Sequence, residues 1–86
     1  MKLNPDFITY NKDGDHLLVP TGNAGFSGLV KGNKTMGDIV DLLKEETTKE
    51  KIVAAMLEKY DATEEIISRD VDKVLVELRK IGAILE

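Results

Sequence analysis

The sequence predicts an α+β fold: a three-stranded antiparallel sheet followed by three helices, winged helix-turn-helix-like with the strands first. Three observations carry that expectation. Up to about residue 31 the apolar residues come in short β-branched or aromatic runs separated by turn residues, as in strands. From Met36 onward they recur at three- and four-residue spacing, as on one face of a helix. Between the two, Leu29-Val30-Lys31 passes through Gly32-Asn33 straight into the helical pattern, leaving almost no linker.

Eighty-six residues specify one domain, expected over residues 1–86. A chain of this length buries only about 60–65% of its unfolded surface, so the expected core is modest. Hydrophobic residues at 42% and charged residues at 33% fit an ordinary soluble globular domain.

Residues 1–5 read as a frayed end. Phe7-Ile8-Thr9-Tyr10 has strand composition. Asn11-Lys12-Asp13-Gly14-Asp15 reads as a turn, because Asp-Gly supplies the positive φ that a tight hairpin needs. His16-Leu17-Leu18-Val19 makes a second strand, closed by Pro20, which cannot donate to a ladder. Thr21-Gly22-Asn23-Ala24-Gly25 is a loop by composition, and residues 26–31 form the third strand.

Asn33 is the expected cap of the first helix, residues 33–44, since its side-chain oxygen can accept from N–H groups two or three residues on. Behind it, Met36, Ile39, Val40 and Leu43 form the apolar stripe. Glu45-Glu46 link to a second helix, where Thr47 and Glu50 have capping-box spacing. Val53, Met56, Leu57 and Tyr60 share one face of it. Asp61-Ala62-Thr63 opens the third helix, with Glu64 and Glu65 favourably placed for the helix dipole. Its core stripe is Ile67, Val71, Val74, Leu75, Leu78 and Ile81, with a break allowed near Ser68. Gly82 ends this helix as a C-terminal glycine, and Ala83-Ile84-Leu85 is an apolar tail able to fold back onto the core.

Much chemistry is excluded. With no cysteine there is no disulfide, thiolate nucleophile or thiolate metal site. His16 is the single histidine, so no multi-histidine metal site can form. It lies in a strand with leucines after it and no nucleophile in view, which reads as structural or exposed rather than as a general base. The carboxylates fall at helix starts and on helix surfaces, and Glu65 and Arg69 have the spacing of a surface pair. The glycines lack the lysine and hydroxyl that complete a phosphate-binding loop. Neither enzyme activity nor a cofactor or metal is expected. Asn33-Lys34-Thr35 matches a glycosylation acceptor, but the N-terminus lacks the apolar run of a secretion signal. No apolar run reaches bilayer-spanning length, so no membrane partner is expected and a cytoplasmic location is.

The third helix gives the sharpest signal. At about 100° per residue, Val76 points almost opposite the core stripe, and Arg69, Asp72, Lys73, Arg79 and Lys80 fall within about 60° of it. All four basic residues of the helix therefore share one face with a valine at its centre. Such a face is either simply solvated or a surface for an acidic, amphipathic partner. The sheet adds a related feature, since its open edges present unpaired N–H and C=O groups that a partner strand can complete.

The ordered series Leu18-Val19-Pro20, Phe26-Ser27-Gly28-Leu29-Val30, Asn33-x-Thr35 and Ile39-Val40-x-Leu42-Leu43 resembles the PqqD-like family (coenzyme PQQ synthesis protein D). Thr48-x-x-x-Ile52-Val53, Tyr60-Asp61, Asp70-Val71 and Leu75-x-x-Leu78-x-x-x-Gly82 continue the resemblance, which runs from about residue 10 to 85. The resemblance implies a recognition element for the leader segment of a ribosomally made precursor peptide. Such an element presents the precursor to a modifying enzyme, often a radical S-adenosylmethionine enzyme. It also implies that the leader lies as an added strand on the third strand, against the third helix. Carried onto this chain, the peptide contacts are Leu29, Val30 and Lys31 on the strand. On the helix they are Arg69, Asp72, Lys73, Val76, Arg79 and Lys80. The chain departs from the family pattern at Gly32, where a bulky apolar residue commonly precedes the asparagine, and at Val76, where a polar residue is common.

The leading expectation is thus a non-catalytic peptide chaperone in pyrroloquinoline quinone synthesis or in another modified-peptide system. The alternative is a winged-helix DNA-binding regulator, favoured by the basic helix face. A net charge of −4 and six acidic residues between Asp61 and Ile81 oppose nucleic acid as a partner. The open sheet edges also permit a homodimer.

Overall fold

A computed structural model of the chain describes residues 1–12, 15–22 and 28–86. The tip of the first turn and most of the loop before the third strand lie outside these residues. So does the start of that strand at Phe26 and Ser27. The element order is β1 Lys2–Leu3, β2 Phe7–Lys12, β3 Asp15–Pro20, β4 Val30–Gly32, α1 Lys34–Leu42, α2 Lys49–Lys59, α3 Glu64–Lys80 and β5 Ile84–Leu85. Strands β2, β3 and β4 form an antiparallel sheet in that order, and β1 pairs with β5. The α+β expectation of three main strands followed by three helices holds.

Register sets what each sheet face carries. Leu18 pairs with Thr9 on one side and Val30 on the other. Because side chains alternate along a strand, Phe7, Leu18 and Val30 turn toward the helices, while Ile8 and Tyr10 turn away and are exposed. The core is built from Phe7 and Leu18 of the sheet, Ile39, Val40 and Leu43, Ile52 and Met56, and Ile67, Val71, Leu75 and Leu78 of α3. Ile52 is fully buried although the expected stripe of the second helix began at Val53.

Each helix starts at a capping side chain. Asn33 accepts from Met36 N–H at 3.0 Å, Thr48 from Lys51 N–H at 3.2 Å and Thr63 from Ile66 N–H at 3.3 Å. Such a cap contributes about 1 kcal/mol. The cap is therefore one residue later than the expected Thr47, and with Lys51 rather than Glu50 at the third helical position the expected capping box does not form. The cause lies in the backbone of Thr47, whose N–H donates to Met1 O at 2.9 Å and whose carbonyl accepts from the Met1 amine at 2.9 Å. Held by the chain's first residue, Thr47 is not free to open the helix.

The same contacts correct the expectation of a frayed end. Leu3 N–H donates to Leu43 O and Asn4 N–H to Ala83 O, each at 2.7 Å, while Lys2 and Leu3 pair with Leu85 and Ile84. The Met1 amine also bonds the exposed Glu46 carboxylate, and that hydrogen bond holds Glu46 below the usual carboxylate range.

At the other end, α3 runs unbroken through Ser68, so the break allowed for there does not occur. Gly82 has φ +76°, and the turn closes with Gly82 N–H to Arg79 O at 3.1 Å and Ala83 N–H to Leu78 O at 2.9 Å. This is the Schellman pattern. It sends Ala83 and Ile84 back into the core, as the apolar tail required.

A groove beside an edge strand

The strand-to-helix corner is tighter than its sequence indicated. Among the described residues the third strand is Val30–Gly32; Gly28 and Leu29, expected within it, precede it outside the ladder, and Leu29 is exposed. Helix α1 likewise stops at Leu42 rather than at residue 44, with Leu43 as its C-cap. Gly32 does not loosen the corner. A Cβ there would lie 2.3 Å from the Met36 methyl and 2.4 Å from its sulfur, so the missing side chain is what lets Met36 fold under the strand. Gly37, one residue on, leaves room in the same way for the imidazole of His16, whose Nδ1 would lie 2.2 Å from a Cβ. His16 is thus a packing residue over α1.

Strand β4 has β3 on one side and, among the described residues, no strand on the other. Along it runs a groove of about 460 Å³. One wall is Val30, Lys31 and Gly32 with the corner residues Asn33, Thr35 and Met36. The other is α3, through Asp70, Lys73, Val74, Glu77, Leu78 and Ile81. Val30, Met36, Val74 and Ile81 are half-buried and pack against the core, so the floor is apolar. Asp70, Lys73 and Glu77 are exposed and stand above it.

A polar cluster braces the corner from behind. The Asp38 carboxylate is buried and accepts from the Tyr60 hydroxyl and from Lys59 Nζ at 3.1 Å. Burial alone would raise its pKa. The Tyr60 and Lys59 hydrogen bonds and the charges of Lys59 and Lys34 outweigh burial and hold it below the usual carboxylate range. Tyr60 is raised in turn, first by its hydrogen bond to Asp38. Thr35, a groove residue, opposes that shift weakly, and Lys34 Nζ sits 5.5 Å from the ring centroid. The end of α2 is thereby tied to the first turn of α1.

The structure brings Val30, Lys31 and Lys73 together in the groove and places the other expected contacts elsewhere. Lys31 Nζ reaches Asp15 Oδ2 at 3.4 Å. Asp72 points to α2, where Lys49 meets it at 2.8 Å. Arg69 faces Glu65 at 3.6 Å, Arg79 faces Glu86 at 2.8 Å and Lys80 faces Glu77 at 3.4 Å. Val76 is exposed, at the centre of that outer face. Asp70 and Glu77 lie about 100–120° around the helix from it. The groove thus forms where the core stripe meets solvent, one face earlier than the wheel's basic centre. Half-buried Val74 and Ile81, at the edge of the apolar stripe, were the signal for it. Among the described residues no cluster of three metal-ligating side chains occurs, and no helix is long and apolar enough to cross a membrane.

The comparisons with known proteins agree with this architecture. The family model described as "Coenzyme PQQ synthesis protein D (PqqD)" matches residues 16–84, and the chain belongs to that family. Two solved structures share the fold. TbiB1, in complex with the TbiA(beta) leader peptide, is 19% identical with a TM-score of 0.78, covering 100% of both chains. A lasso peptide synthetase B1 complexed with its leader peptide is 18% identical with a TM-score of 0.79, covering 99% of this chain and 96% of that one. No curated protein matches the chain.

Proposed function

We propose that this chain is a single, non-catalytic peptide-recognition domain for the leader segment of a ribosomally synthesised precursor peptide. The leader adds as a strand to β4 and lies in the groove against α3. Main-chain bonds along the added strand supply affinity, and the apolar floor takes a side chain from every second residue. The bound precursor is then presented to a modifying enzyme, with a radical S-adenosylmethionine enzyme as the class the family resemblance favours. The observation that carries this reading is the open edge of β4 running beside a groove of about 460 Å³. Membership of the PqqD family and the two leader-bound neighbours support it.

Leu29, Val30 and Lys31 belong to the strand side of this site. Lys73 is its helix residue from the cationic face. Arg69, Asp72, Val76, Arg79 and Lys80 then form the outer flank, which a longer peptide or the enzyme reaches. All three cations there already have a carboxylate beside them, which weighs against the DNA reading. The second open edge, β2, leaves room for a homodimer that keeps both β4 edges free.

The test is an NMR titration with a synthetic leader segment of a precursor peptide. The reading expects shifts concentrated at residues 28–36 and 70–81. Shifts confined to β2 or α2 reject the site.

A further inference from the structure

Helix α3 carries five acidic and four basic side chains, yet they are not equally engaged. Its ion pairs run Arg69 to Glu65, Asp72 to Lys49, Lys80 to Glu77 and Arg79 to Glu86. Asp70 and Lys73 make none among the described residues, although three residues apart is a pairing distance on a helix. Both line the groove. Glu64, in the first turn, also has no ion pair among the described residues but lies outside the groove, so the two unpaired charges in the body of the helix are the two that overlook the edge of β4. Behind them, Val74 and Ile81 leave no counter-charge on the floor.

Their spacing is close enough to a strand's two-residue repeat for long side chains to bridge the difference. Three helical residues advance about 4.5 Å along the axis, and two strand residues advance about 6.6 Å. Alternate side chains of an added strand, those on the helix side, thus fall within reach of Asp70 and Lys73 in turn, given the length of lysine, arginine and glutamate side chains. Resting on the proposed function above, we propose that Asp70 and Lys73 read the docked leader by charge order. They select a basic and an acidic side chain two residues apart on its groove-facing side, the basic one toward Asp70. The stems of these long side chains cover the apolar floor while their charged ends meet the helix. The pair also fixes direction, because a strand entered backwards sets like charges against like.

Peptide selection from a randomised library of extended twelve-residue peptides, displayed on phage and panned against the intact chain, tests this. Wild-type protein enriches peptides with opposite charges at two-residue spacing in one order. The double variant Asp70→Lys with Lys73→Glu enriches the reverse order. Each pool prefers its own protein by about three- to tenfold, the range for a partly exposed charge pair set against its reversal. Both substitutions lie on an exposed helix face, and circular dichroism melts check that the fold is kept. Binding sites are located by the amide shifts of Val30, Lys31 and Gly32. Pools of the same composition from both proteins, with peptide still on β4, overturn the charge-order reading and leave the peptide site standing. Binders that shift only other strands, or no binders at all, overturn the site itself and this inference with it.

Discussion

Asp38 is the buried carboxylate of the core, and two donors, Tyr60 and Lys59, keep it ionised there. A carboxyl held below its ordinary pKa stabilises the fold above the unfolded value of about 4, and that contribution is lost as pH falls through the lower folded value. Asp38→Asn should therefore cost about 1–3 kcal/mol in urea unfolding at pH 7, as a buried hydrogen-bonded group does when broken. The wild-type excess over the variant should shrink on going to pH 2. A constant difference between pH 7 and pH 2 would mean that the ionised form contributes nothing. The same cluster was invisible from the sequence. Asp38 and Tyr60 are 22 residues apart, and Asp38 sits among Ile39 and Val40 as an ordinary surface residue would.

Strand β4 is the element on which the proposed function turns, and antiparallel geometry makes a sharp statement about it. Alternate residues of a strand direct both N–H and C=O to the same neighbour, so Val30 and Gly32 bond to one side and Lys31 to the other. Proline removes the N–H donor and is tolerated at an edge only where that donor faces outward. Of Val30→Pro and Lys31→Pro, one should lower thermal stability by breaking the β3 ladder. The other should leave stability nearly intact and weaken leader binding, read by fluorescence anisotropy. Two variants that leave affinity unchanged would refute strand addition at this edge. This element was only partly legible. The β-branched run and the Asn33 cap located the corner, but Leu29 and Gly28 carry strand-like spacing without pairing to β3. Nothing in local composition reported how short the ladder would be. On α3, charge was easy to count and its use was not. Arg69, Arg79 and Lys80 look available in a helical wheel, while their partners Glu65, Glu86 and Glu77 show in three dimensions which cations are engaged.

The molecule closes by joining its two ends. Lys2 and Leu3 pair with Leu85 and Ile84, and Leu3 N–H also reaches Leu43 O at 2.7 Å. This clip sits under α1 and α3 and holds the Gly82 turn against the core. Leu3→Pro removes that donor and should lower stability by about 1–3 kcal/mol in chemical denaturation, whereas a frayed end would tolerate it without effect. The order of strands and helices, the three-helix count and the returning apolar tail could all be read from periodicity and caps. Two-residue strands could not, because two residues have no period, and Asn4-Pro5 has the composition of a loose end. The shift of the second helix cap from Thr47 to Thr48 follows from this same clip.

Amide hydrogen exchange on the intact chain, with and without a synthetic precursor leader peptide, puts the edge of β4, which has no strand beside it among the described residues, directly to trial. If a strand docks there, the outward-facing amides among Val30, Lys31 and Gly32 slow markedly on adding peptide, and those of β2 do not. Unchanged exchange along β4 with saturating peptide bound would contradict it.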